Sequence, residues 1–248
     1  MPSAARLVRA LLAQNRSLLS QELGLIDALS ARHGAGGGAA AAFSARCPVA
    51  GASLGQHLRH LGDHTELAAM GSRDVCRRRR RRGRGGRTDE AEDGGGGVGG
   101  GGPLELCYDL RSRGGTLETD PAQARIRILE VAEALEEVHD AIGGDRDGGA
   151  DEALARALAD HPVAARFHLT SGGAEDLDED GPAGPALPST LARELGFVAH
   201  HAVHHLAMAR IIATSPEAGG LSVSDLPEGF GRAPSTLRHD AAEAKGGG

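Results

Sequence analysis

The sequence predicts an all-α protein, a four-helix bundle interrupted by an Arg/Gly-rich insertion. Three observations lead there. Long segments carry Leu, Val and Ile at spacings of three, four and seven. Aromatic residues make up only 2% of the chain, with no Trp and one Tyr. The periodic segments also begin at residues that cap helices. An aliphatic core of this kind packs helices more readily than strands, which favour β-branched and aromatic side chains.

Leu7, Leu11, Leu18, Leu25 and Leu29, broadened by Val8, Leu12, Leu19 and Ile26, form the stripe of a first core-facing helix. The Gly- and Ala-rich stretch from His33 to Ala42 reads as a loop. Ser53 is a suitable N-cap for a second helix through Leu54, Leu58, Leu61 and Leu67, ending near Met70. Residues 72–103 follow as a low-complexity insertion with the arginine run Arg77–Arg82, an acidic patch and almost pure glycine, expected to be disordered.

Asp120 and Pro121 open a third helix as N-cap and first helical residue, with Ile128, Val131, Leu135 and Val138 on its apolar face. Leu154 and Leu158 suggest a continuation or a short extra helix, and Val163 to Thr170 a short strand. Residues 172–188 read as an acidic Pro/Gly-rich loop, and Ser189 as the N-cap of a last helix reaching about Thr214. The tail from Leu226 to His239 has too few periodic residues to assign. Together these elements make a single helical domain over residues 1–248, interrupted only by the insertion and the loop.

Charge and cysteine usage narrow the class. A net charge of -7 counts against a surface built for nucleic acid. The arginine run reads first as a solvated expansion neutralised by the acids behind it, with a nuclear-import or nucleic-acid patch as the alternative. Cys47, Cys76 and Cys107 are odd in number and lack a CxxC pair, so a reducing, cytoplasmic setting is expected, with organelle and nucleus left open. Arg6, Arg9 and Arg16 without an early acid faintly suggest a transit peptide, but the stretch reads better as an amphipathic helix. No apolar run approaches the roughly 18–20 residues a bilayer requires, so no membrane span is expected.

The chemistry lies in two histidine clusters: His57, His60 and His64 on the second helix, and His200, His201, His204 and His205 on the last. Residues i and i+4 lie about 6 Å apart on one helix face, so an HxxxH pair can offer two imidazoles to one ion. His201/His205, His200/His204 and His60/His64 all have that spacing. Val198, His201, His205, Met208 and Ile212 form an apolar stripe, but Phe197, His200, His204, Ala207 and Ile211 form one almost as apolar, so the register stays open. A lone histidine is usually a hydrogen-bonded core residue, whereas seven in two short segments would leave many polar nitrogens to satisfy. Imidazole donors favour Zn, Ni, Fe or Cu over Ca or Mg.

The segments Ser53-Leu54-Gly55-Gln56-His57-Leu58-Arg59-His60, Arg193-Glu194-Leu195-Gly196-Phe197-Val198 and His201-Ala202-Val203-His204-His205 resemble the DinB/YfiT-like superfamily. Tyr108-Asp109-Leu110-Arg111-Ser112-Arg113 and Gly229-Phe230-Gly231-Arg232-Ala233-Pro234-Ser235-Thr236-Leu237-Arg238-His239 resemble a branch of it. The resemblance implies a four-helix bundle with a three-histidine divalent-metal site, one ligand from the second helix and an HxxxH pair from the last. By position these are His60, His201 and His205, with His57, His64, His200 and His204 as alternates or outer-sphere partners. His200 departs from the small residue more common there in the family.

Three imidazoles leave a coordination position open, as in catalytic zinc sites, where a water can ionise near neutral pH or a thiol can become a thiolate. The resemblance thus implies thiol transfer to an electrophile or hydrolysis of a small-molecule substrate, with a homodimer compatible; the alternative is a non-catalytic metal- or ligand-binding module. Glu194 lies about 10 Å along the helix from His201, too far for direct proton transfer, and reads as an ion-pair or outer-sphere partner. Tyr108, Arg111 and Arg113 are candidates for the pocket mouth, or equally a polar loop held by an Arg–Asp pair with Asp109. The polar tail around Ser235, Thr236, Arg238 and His239 is a candidate to fold over the site.

Overall fold

The structure is a computed structural model that describes residues 3–34, 36–84, 102–109, 114–143, 151–167 and 184–246. It is mostly helical with a small three-stranded sheet. In chain order the elements are α1 (Ala4–His33), α2 (Gly37–Ser44), α3 (Leu54–Arg84), β1 (Leu104–Cys107), α4 (Pro121–Ala141), α5 (Glu152–Ala159), β2 (Pro162–Arg166), β3 (Ala186–Thr190), α6 (Leu191–Thr214) and α7 (Pro234–Gly246). No helix among the described residues is long and apolar enough to cross a membrane.

The helix starts follow local chemistry. Ser53 Oγ accepts from the Gln56 backbone N–H at 3.2 Å and Gln56 Oε1 accepts from the Ser53 N–H at 3.1 Å, a reciprocal cap at the start of α3. Asp120 Oδ1 accepts from Ala122 N–H ahead of Pro121 in α4, and Asp151 Oδ1 from Leu154 N–H in α5. At α6 the cap is Thr190, whose Oγ1 accepts from Arg193 N–H at 3.3 Å, and not Ser189. Ser189 belongs to β3, so the end of the expected loop 172–188 is a strand; residues 172–183 lie outside the described residues.

Other expectations also need correction. The stretch from His33 to Ala42 is not all loop, because α2 forms from an alanine run with strong helix propensity and buries Phe43 completely. Helix α3 does not stop at Met70. Val75 and Cys76 are buried, and arginine is a good helix former that suits the negative end of the helix dipole, so the helix runs to Arg84. The arginine run Arg77–Arg82 is therefore helical and not part of a disordered insertion, while residues 85–101 lie outside the described residues. The unassigned tail forms α7, begun by Pro234.

The chain divides into two compact units, and all four long helices contribute a part to each. The first comprises Met1–Ala13, Glu66–Arg111 and Glu133–Gly196. It contains the sheet, with β2 in the centre, parallel to β1 and antiparallel to β3. Its buried residues include Leu106, Leu135, Val138, Leu154, Leu158 and Val163.

The second unit comprises Gln14–Thr65, Ser112–Ala132 and Phe197–Gly248. Leu19, Leu25, Leu29, Leu54, Leu58, Leu61, Ile128, Leu206 and Ile212 are buried in it. Gly55 and Gly231 mark two of the close backbone approaches in this unit that require glycine. A Cβ on Gly55 would collide with the Glu118 carbonyl oxygen, so α3 meets that backbone where no side chain intervenes. Gly231, at φ 67°, lies against the Leu206 carbonyl of α6, and its N–H donates to Gln21 Oε1 at 3.0 Å.

Candidate metal centre

Seven histidines of α3 and α6 lie in the second unit, and the fold sorts them. His60, His201 and His205 are half-buried, and one ring nitrogen from each lies within 4.8 Å of the others. The Nε2 atoms of His60 and His201 are 3.3 Å apart. Two nitrogens on one tetrahedral ion at roughly 2.0–2.1 Å would stand about 3.3–3.4 Å from each other. The three rings meet at centroid distances of 5.2 Å for His60–His201, 4.6 Å for His60–His205 and 4.5 Å for His201–His205. Donor type and spacing therefore both suit a borderline-soft divalent ion.

The competing pair is placed elsewhere. His200 and His204 are exposed. The four-three spacing that left two stripes open is resolved by the packing of α6, which buries Val198, Ala202, Leu206 and Ile212 around the His201/His205 face. His64 is buried and stacks on His201 with a 4.4 Å centroid distance and a 20° interplanar angle. His57 is half-buried, and its Nδ1 lies 2.9 Å from Nδ1 of His205 in a hydrogen bond between the two rings.

Burial dominates the electrostatics of His205 and His57. It holds the His205 imidazole down at about 3, with the neighbouring His201, His60, His57 and His204 adding to the effect. Burial, then His204, also depresses His57. A neutral His205 ring at physiological pH has a lone pair ready for a cation, and its desolvation is already met by the fold before any ion arrives.

Beside the histidines on α3 is an ion-pair chain that sequence reasoning missed. Arg59, only 8% exposed, contacts Asp63 Oδ2 at 2.5 Å and Glu118 Oε1 at 2.8 Å, and Arg127 contacts Asp63 Oδ1 at 2.8 Å. These contacts tie α3 to α4 and to the turn before it, within the helical segment that carries His57, His60 and His64. The i,i+4 pair Arg59/Asp63 was visible in the sequence, but its remote partners were not.

The remaining candidates have other roles. Glu194, fully buried in the first unit, accepts hydrogen bonds from Tyr108 Oη at 2.8 Å and Arg193 Nη1 at 2.7 Å, and also from Ser189 Oγ. Tyr108 is 1% exposed and does not line an open pocket mouth; burial and the Glu194 carboxylate push its phenol well above the usual range. Arg111 and Arg113 lie outside the described residues. Ser235, Thr236, Arg238 and His239 are exposed on α7, and the tail docks on α6 through Phe230 and Gly231 instead.

The family model of the DinB superfamily matches residues 13–209, well over half of the 248-residue chain. The match spans all three histidines of the cluster. Comparison with curated proteins and with solved structures finds no match.

Proposed function

The chain belongs to the DinB superfamily, and we propose that it is a metal-dependent enzyme holding one divalent ion on His60, His201 and His205. In this reading α1, α3, α4 and α6 are the four helices of the expected bundle. The observation that carries the proposal is the convergence of three half-buried imidazoles from two helices, with nitrogens at ligand spacing. Zn, Ni and Fe all suit such a donor set. A bound ion supplies Lewis acidity at its open position, lowering the pKa of a thiol or water that reaches it.

The protein's own residues do the positioning. α6 presents His201 and His205 one turn apart, and α3 brings His60 against them. His64 backs the His201 ring by stacking, which restricts its rotation. Hydrolysis also calls for a placed general base. Glu194, too far along α6 from His201 to exchange a proton there directly, is committed to Tyr108 and Arg193. That favours transfer of a small thiol over hydrolysis. It also supports the second reading, a non-catalytic metal-binding module, which needs no base at all.

Metal analysis of the full chain without an affinity histidine tag is expected to find one equivalent of a first-row divalent metal. The cobalt-substituted protein should change its visible spectrum when a small thiol is added, and the His60→Ala variant should not. A metal-loaded chain with no response to thiol, azide or pH would displace the enzyme reading in favour of the binding module.

A further inference from the structure

The contact between His57 and His205 carries an inference beyond the three-ligand centre, though it rests on that centre being a metal site. A histidine ligand has two ring nitrogens, and which one faces the ion depends on what holds the other. Metal-ligating histidines almost always donate their second N–H to a carboxylate, a carbonyl or a water. In this chain Nδ1 of His205 is 2.9 Å from Nδ1 of His57, which leaves Nε2 as the nitrogen available to the triad. His60 and His201 already face each other through Nε2.

We infer that His57 is the positioning residue of the centre: it accepts a hydrogen bond from Nδ1–H of His205 and so commits His205 to present Nε2. The two rings tilt at 48° with centroids 5.2 Å apart, so the contact runs edge to edge and not through a stack. His57 lies three residues before His60, about one helical turn away on α3. One helix thus supplies a ligand and, one turn earlier, the partner that orients a ligand on α6.

His57 is not a fourth ligand in this arrangement. The nitrogens that gather within 4.8 Å belong to His60, His201 and His205, and His57 is not in the group. Its Nδ1 is occupied by His205. An imidazole in a position often taken by a carboxylate is a neutral acceptor and adds no negative charge to the centre.

The test uses the full-length untagged chain, stripped of metal and titrated with Zn(II) against a chromophoric chelator. His57→Ala is expected to retain one equivalent but bind roughly 10–100-fold more weakly. His57→Gln, whose amide oxygen can accept the same N–H, should recover part of that loss. Nitrogen-15 NMR of the zinc-loaded wild type should show His205 protonated at Nδ1. X-ray absorption should count the same number of imidazoles in wild type and His57→Ala.

Equal affinity in folded His57→Ala, or a zinc shell that loses one imidazole in that variant, would overturn the positioning role. Circular dichroism identifies a variant that has merely unfolded, and the wild-type NMR assignment then decides: His205 protonated at Nε2 overturns the inference. A wild-type chain that binds no zinc overturns instead the metal-site reading on which it rests.

Discussion

The Nε2 atoms of His60 and His201, 141 residues apart in the chain, stand 3.3 Å from each other. Two desolvated lone pairs at that distance repel unless a proton or a cation lies between them. Single changes of His60, His201 or His205 to Ala should each reduce zinc affinity by more than the roughly 10–100-fold expected of an outer-sphere change. The double variant His200→Ala/His204→Ala should retain one equivalent, since both rings are exposed. If the double variant loses the metal and His201→Ala keeps it, the register is wrong by one residue.

Acid should destabilise the metal-free protein through the same cluster. The folded His205 titrates at about 3, against roughly 6.5 in the unfolded chain. Below 6.5 the unfolded state takes up a proton that the folded state refuses. The stability present above 6.5 is therefore lost as pH falls toward 3. The thermal midpoint of the apo-protein should drop between pH 7 and pH 5, and His205→Gln should flatten the drop. An identical slope in both proteins would assign the effect elsewhere.

Glu22 shows the opposite sign. It is fully buried on α1, and neither carboxylate oxygen has a hydrogen-bond partner among the described residues. Burial pushes its pKa well above the usual range, and the positive charge of Arg127 offsets that only in part. The folded state therefore holds a proton that the unfolded state releases above roughly 4.3. Stability is fully present below that pH and declines as pH rises through the folded pKa. Glu22→Gln should stabilise the chain at pH 7 by about 1–3 kcal/mol and have little effect at pH 4. Denaturant unfolding at the two pH values tests this, and a destabilising effect at pH 7 would contradict it.

Shortening α3 should cost stability. Joining Arg73 to Pro103 removes Val75 and Cys76, which are 9% and 3% exposed, and the pair that Arg77 makes with Glu137. The two buried side chains should account for roughly 2–5 kcal/mol and the exposed ion pair for under about 1 kcal/mol. A thermal midpoint unchanged by the deletion would show that α3 past Arg73 contributes nothing to the packing.

Much of this protein was legible from residue order alone. The apolar stripe of Leu7 to Leu29, the reciprocal cap at Ser53 and Gln56, and the Asp120–Pro121 start of α4 are local signals. They lie within one or two turns of the residues they govern, so the sequence predicts them without knowledge of the fold. The HxxxH spacings are local in the same sense, and they marked α3 and α6 as the helices that matter.

Everything that joined distant segments required the tertiary structure. Two nearly equal stripes on α6 could not be ranked until packing buried Ala202 and Leu206, brought His201 and His205 to His60 and left His200 and His204 exposed. The arginine run looked unstructured because its composition is polar, yet Val75 and Cys76 lie buried just before it and α3 continues through it. The strand β1 is four residues long, and its pairing with β2 bridges more than fifty residues, so no short-range pattern announced it. In the sequence His57 stood as an alternate ligand beside His64, His200 and His204. Only its 2.9 Å approach to His205 distinguishes the residue that orients a ligand from one that serves as a ligand, because that difference lies in which ring nitrogen faces which neighbour.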